Sequence, residues 1–310
     1  MTARPTTPAT LNRMQKNAGC RWVEVHDDET GAPFQVLVMY PTDSPEQPTK
    51  LGPYTESVAL DAEVAPPADG SRYPLVVLSH GNGGSPLLYR DLAAALARAG
   101  FVVAAPTHPG NSIGDNASYG RVANLVDRPR HVVEVIQFML SDPRFAPVVR
   151  PADVGLIGHS MGGYSVLAAA GAVPTAFARE TESGEPEKLH PRTSRRVGAL
   201  VLLAPATPWF QEETALRNVE VPILLMSGEH DKHTPAWQGD IVLDGVPDRS
   251  RVRHEVVENG GHFSFLTPFP EVMQNASFPP SQDPSGFDRE AFHARMNVDV
   301  VAFLADTIGS

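Results

Sequence analysis

The 310-residue chain has 42% hydrophobic and 20% charged residues and a formal charge of −11. That balance is typical of a globular protein with a sizeable core; it excludes a disordered chain and leaves no basic surplus to displace counterions from nucleic acid. A lone cysteine, Cys20, excludes an intrachain disulfide and fits a cytoplasmic protein, and no stretch approaches the ~20 apolar residues of a membrane span.

Residues 1–20, with Pro, Thr and scattered charge, read as a flexible arm ahead of one domain over 21–310. Residues 22–25 and 34–40 predict a hairpin turned at 27–31. Prolines, glycines and acids dominate 41–72, which predicts a mobile loop or an excursion over the site-bearing edge. Residues 73–79 then form an apolar strand, followed at once by His80-Gly81-Asn82-Gly83-Gly84. Helical spacing of Leu88, Leu92, Ala95 and Leu96 predicts a helix over 87–99, stopped by Gly100. A strand at 101–105, a loop from Thr107 to Ser112 and a helix from about Arg130 to Leu140 follow.

The next segment carries the chemistry. Apolar residues 154–157 lead into Gly158-His159-Ser160-Met161-Gly162, and an alanine-rich helix starts at Gly163. A G-x-S-x-G pattern alone has roughly a 1 in 10 chance of arising by accident in a chain this long. Between a strand and a helix it predicts a sharp, strained turn that projects the serine hydroxyl, with the helix N-terminus behind it. The polar residues 174–196 read as an insertion and candidate lid. Strands at 197–203, 222–227 and 252–257 come next, and a closing amphipathic helix over 287–305 turns Phe292, Met296, Val300 and Phe303 inward. Continuous apolar strands alternating with helices predict an α/β fold: a mostly parallel central sheet covered on both faces.

A serine hydroxyl needs a base, and the base needs an orienting acid. Ligands gather at the carboxyl ends of parallel strands, so both partners are expected just after later strands. Asp231 and His262 occupy such positions, and the order Ser160, Asp231, His262 suits this type of elbow, with Glu229 as the alternative acid. Oxyanion donors are expected from the Met161 N–H and from the glycine-rich turn, at Asn82 first and Gly81 second. His108, Trp209, Phe210, Phe263 and Phe265 are candidate pocket residues, and His159, also a candidate, is expected to pack beneath the elbow. His230, Asp231 and His233 lack a further ligand at metal spacing, so no metal and no cofactor is expected.

Together, residues 79–84, 158–163, Asp231 and His262 resemble an α/β-hydrolase over residues 22–308. The His-Gly turn, the loop His108-Pro109-Gly110-Asn111-Ser112 and the long proline-rich N-terminal segment are similar to the bacterial hydrolases grouped with dienelactone hydrolases and platelet-activating-factor acetylhydrolases. Ser160 stands where dienelactone hydrolases carry cysteine. Residues 203–208 offer no carboxylate where the acetylhydrolases take their acid, which moves that role to Asp231. The resemblance implies a serine esterase acting on a small-molecule ester through an acyl-enzyme. Thioester or amide hydrolysis, acyl transfer, and a non-catalytic binding protein are the alternative expectations.

Overall fold

The computed structural model describes residues 16–309. In chain order, β1 (Asn17–His26) and β2 (Pro33–Thr42) form an antiparallel hairpin, and β3 (Gln47–Leu51) and β4 (Tyr54–Leu60) form a second one. Then come β5 (Leu75–Ser79), α1 (Arg90–Arg98), β6 (Val102–Pro106), α2 (Val122–Ser141), β7 (Val154–His159) and α3 (Met161–Ala169). A small two-stranded sheet, β8 (Thr175–Ala176) with β9 (Glu187–Lys188), precedes β10 (Val197–Leu203) and β11 (Ile223–Gly228). The chain closes with α4 (Trp237–Gly245), β12 (Val252–Val257) and α5 (Arg289–Ile308).

Ten strands form one sheet in the order β12-β11-β10-β7-β5-β6-β2-β1-β4-β3, parallel from β12 to β6. Every residue of β5, β6 and β7 is buried, which is why these strands read as unbroken apolar runs. Residues of α2, α3 and α4 join the core on one face, and those of α1 and α5 join it on the other. The edge strand β12 alternates exposed Arg253 and His254 with partly covered Glu255, and such charges discourage edge-to-edge pairing. No helix among the described residues is long and apolar enough to cross a membrane.

Four expectations need correction. Residues 1–15 lie outside the described residues, but Asn17 to Cys20 at the end of the expected arm are the first residues of β1, paired with Tyr40, Pro41 and Thr42 among others. The segment 41–72 is not a loop throughout: residues 47–60 form a hairpin, and the stretch 61–72 is irregular. Its hairpin extends the sheet at the edge far from β7, with β4 parallel to β1, and its polar exposed positions hid the strand pattern. In α5, Leu304 rather than Phe303 continues the fully buried stripe of Phe292, Met296 and Val300. Finally, α2 begins eight residues before the expected start at Arg130, and α4 was not anticipated.

Pro129 caused the error in α2, because an internal proline normally ends a helix. It deprives the Leu125 carbonyl of its usual donor, and the Tyr164 hydroxyl of α3 supplies one instead, at 2.9 Å. Tyr164→Phe is therefore expected to cost about 1–2 kcal/mol of stability, since a buried acceptor is left unpaired. An unchanged urea midpoint would show that this carbonyl finds another partner.

Candidate active site

Ser160 stands between β7 and α3 with φ 53° and ψ −121°, a backbone conformation L residues avoid. Its N–H is shared by the carbonyls of Leu203 and Ala204, both at 3.1 Å, and its own carbonyl accepts from the N–H groups of Gly163 and Ala206 at 2.8 Å. The elbow is thus clamped to the end of β10. Gly158 and Gly162 are required by close approach: a Cβ on Gly158 would collide with the Gly162 carbonyl, and one on Gly162 with that of Ser79. Ser160 itself is half-buried.

His262 begins a 3₁₀ turn (His262–Phe265) after β12, and Asp231 follows β11. The His262 Nδ1–H donates to Asp231 Oδ2 at 2.8 Å. The remaining capacity of the carboxylate is filled by the N–H groups of His233 and Thr234 at 2.8 Å and by the Thr234 hydroxyl at 2.6 Å. Burial raises the Asp231 pKa, but the bond and charge of His262 and the two Thr234 donors outweigh it and hold the group at about 2. Glu229, the alternative acid, is exposed and accepts instead from the Asn259 N–H at 2.7 Å.

Two contacts bring the elbow and the Asp231–His262 pair together. The Ala204 carbonyl that holds Ser160 N–H lies 3.1 Å from the Thr234 hydroxyl, whose one proton goes to Asp231. The His159 ring lies 4.8 Å from that of His262, and its Nε2–H donates to the His262 carbonyl at 3.0 Å. His159 Nδ1 then carries the lone pair and accepts the Tyr89 hydroxyl at 2.8 Å. Burial, followed by the charge of His262, lowers His159 to about 3, so it is a neutral strut. Among the described residues no hydrogen bond joins Ser160 Oγ to His262, a link that often tightens only when substrate is bound.

The oxyanion candidates separate clearly. Met161 is the first residue of α3, where an N–H has no intrahelical acceptor. Gly81 N–H is already engaged, donating to the Tyr89 hydroxyl at 3.2 Å, whereas the exposed Asn82 has no partner for its N–H among the described residues. Gly81 also lies close enough to Ser160 that an added Cβ would sit 3.4 Å from the serine Cβ.

Several pocket candidates are not at an open surface. His108 is fully buried and bonded to Ser79 and His131. Phe210 stacks on Tyr164 inside the core, and Phe265 packs against Phe292. Trp209 donates to Glu180 of the 174–196 insertion at 2.9 Å and packs on Tyr164 and Phe177, so that insertion rests on the segment after β10. Phe263, half-buried beside His262 and His233, remains at the mouth. Cavities of about 420 and 470 Å³ lie elsewhere, along 268–290 and between α2 and residues 193–196.

Only Asp231 of the expected non-ligands His230, Asp231 and His233 points inward; both histidines are exposed. A different cluster, Asp27, His131 and Glu134, gathers ligand atoms within 4.8 Å. There the Arg130 guanidinium supplies the cation, 2.7 Å from Asp27 Oδ2 and 3.4 Å from Glu134 Oε1.

Sequence reading missed the residues that support the site: Tyr89, Thr234, Ser79 and Arg128.

A nucleophile-type elbow after the central strand of a parallel sheet, with acid and histidine after later strands, is the arrangement of the α/β-hydrolase fold, and the chain has that fold. Residues 76–213, from β5 through the elbow to the segment after β10, match the model described as alpha/beta hydrolase family. The chain is similar to the structure of a ferulic acid esterase from Streptomyces cinnamoneus, with TM-score 0.66 and 19% identity over 96% of this chain and 91% of that one. With 809 solved chains matching in all, the fold alone selects no substrate. No curated protein matches in sequence.

Proposed function

We propose that the chain is a serine hydrolase cleaving carboxylic esters of small molecules through an acyl-enzyme. Ser160 Oγ attacks the ester carbonyl while His262 Nε2 takes its proton; His262 then returns that proton to the departing alcohol. Water repeats the sequence on the acyl group. Asp231 fixes the proton on Nδ1, which leaves the Nε2 lone pair free for Ser160. The N–H groups of Met161 and Asn82 receive the oxyanion. The 174–196 insertion, seated on Trp209, borders this site as a lid, and Phe263 lines its mouth.

The observation that carries this reading is the saturated Asp231–His262 pair tied to the Ser160 elbow through His159, which donates to the His262 carbonyl. The ester chemistry is supported by the structural likeness to a protein described as a ferulic acid esterase. A fluorophosphonate is expected to add covalently to Ser160 and to no other serine, as read by mass spectrometry of peptides. p-Nitrophenyl esters of graded acyl length are expected to be hydrolysed with a burst of p-nitrophenol equal to the enzyme present. A protein that neither labels nor turns over these esters would remove the proposal and favour a binding role.

A further inference from the structure

Arg128 of α2 is among the largest side chains buried completely, with no exposed surface at all. A buried guanidinium is ordinarily matched by a carboxylate. Arg130, two residues on, illustrates the norm with Asp27, Asp127 and Glu134 around it. Among the described residues Arg128 has no carboxylate partner. Its donors go to neutral oxygens: Nε to Ser165 Oγ at 2.9 Å, Nη1 to Asn111 Oδ1 at 2.7 Å, and Nη2 to Ser79 Oγ at 3.2 Å and to the His80 carbonyl. Burial lowers its pKa to about 9, which leaves it charged at neutral pH.

The acceptors share a location. His80 opens the turn that presents Asn82, and Asn111, held by Arg128 through its oxygen, donates its amide N–H to Asn82 Oδ1 at 2.7 Å. Ser165, held through its hydroxyl oxygen, passes its proton to the Met161 carbonyl at 2.9 Å. One side chain therefore grips both halves of the oxyanion site: the turn that carries Asn82 and the helix start that carries Met161.

The surrounding imidazoles add no competing charge. Ser79 accepts from Arg128, so its proton goes to His108 Nε2 at 2.8 Å; His108 Nδ1–H donates to His131 Nδ1 at 3.2 Å, and His131 Nε2–H donates to Asp27 at 3.0 Å. Each of these histidines is satisfied as a neutral ring. Among the described residues Arg128 is then the one fixed positive charge bonded to the turn.

We propose that Arg128 is a positioning residue for the oxyanion site, locking the 80–82 turn against the start of α3 and placing an unneutralised positive charge behind it. This inference rests on the serine-hydrolase reading. Its effect belongs to the transition state, where negative charge appears on the ester oxygen, and not to the bound ester.

The test compares wild type with Arg128→Met and Ser165→Ala, using p-nitrophenyl acetate turnover and inhibition by a trifluoromethyl ketone, which binds as a tetrahedral oxyanion. Arg128→Met is expected to lower kcat and ketone affinity together by about 10²-fold with KM changed less than 2-fold. Ser165→Ala, a mild change within a helix that keeps the charge, is expected to give a smaller fall of about 10-fold in both. Should Arg128→Met not fold, Ser165→Ala alone decides. Folded variants with wild-type kcat and ketone affinity, or with kcat and KM altered in step, overturn the role of Arg128 and leave the hydrolase reading intact. A wild type inert to both reagents overturns the reading itself, and this inference with it.

Discussion

Ser160→Gly is expected to abolish ester hydrolysis and to make the protein more stable. The loss follows from removing the nucleophile and amounts to about 10⁴–10⁶-fold in kcat, comparable to other serine hydrolases stripped of one member of a triad. The gain follows from the backbone. At φ 53° and ψ −121° a residue with a Cβ carries about 1–3 kcal/mol of strain, which glycine does not. Glycine gives back about 0.5–1 kcal/mol through its freer unfolded chain, so a net gain of about 1 kcal/mol, or about 2 °C in Tm, is expected. Ser160→Ala provides the control, being equally inactive yet still strained. Residual turnover in either variant would move the nucleophile elsewhere, and equal melting of the two would show that the elbow is unstrained.

Asp231→Asn is expected to reduce kcat by about 10⁴-fold with little change in fold. The asparagine oxygen can still accept from the N–H groups of His233 and Thr234, which leaves its NH2 facing His262 Nδ1. The imidazole must then accept at Nδ1 and carry its proton on Nε2, the wrong end for taking one from Ser160. The same substitution alters acid stability. The folded-state pKa of Asp231 is depressed to about 2, so its stabilisation is present above the ordinary carboxylate value of about 3.9 and is lost as pH falls from there towards 2. Wild type is expected to lose stability across that window more steeply than the Asn variant. Parallel acid titrations of the two proteins, or equal kcat values, would count against Asp231 as the orienting acid.

What could be read in the sequence followed local rules. Ser160, Asp231 and His262 each follow the carboxyl end of a parallel strand within a few residues, with glycine close by in sequence, so strand order placed them at the same end of the sheet. Arg128 was hidden because Pro129 made the first half of α2 look non-helical, and because the carbonyl that proline strands is rescued by Tyr164, 39 residues away. Tyr89 escaped notice for a similar reason: its value lies in contacts to Gly81 and to His159, 70 positions on. The β3–β4 hairpin was missed because an edge hairpin exposes much of its surface and shows no apolar run.

The packing of α5 has a consequence for biosynthesis. Leu304 and Ile308 lie directly over Gly155, behind the strand that ends in the elbow, and a Cβ there would touch both. That face of β7 is covered by a helix, Arg289–Ile308, some 130 residues later in the chain, and His262 and its turn also follow well after the elbow. A ribosome adding residues in order therefore exposes Ser160's strand long before its cover exists. Until α5 docks, the partly made protein carries a broad apolar face beneath it, the kind of surface that invites aggregation.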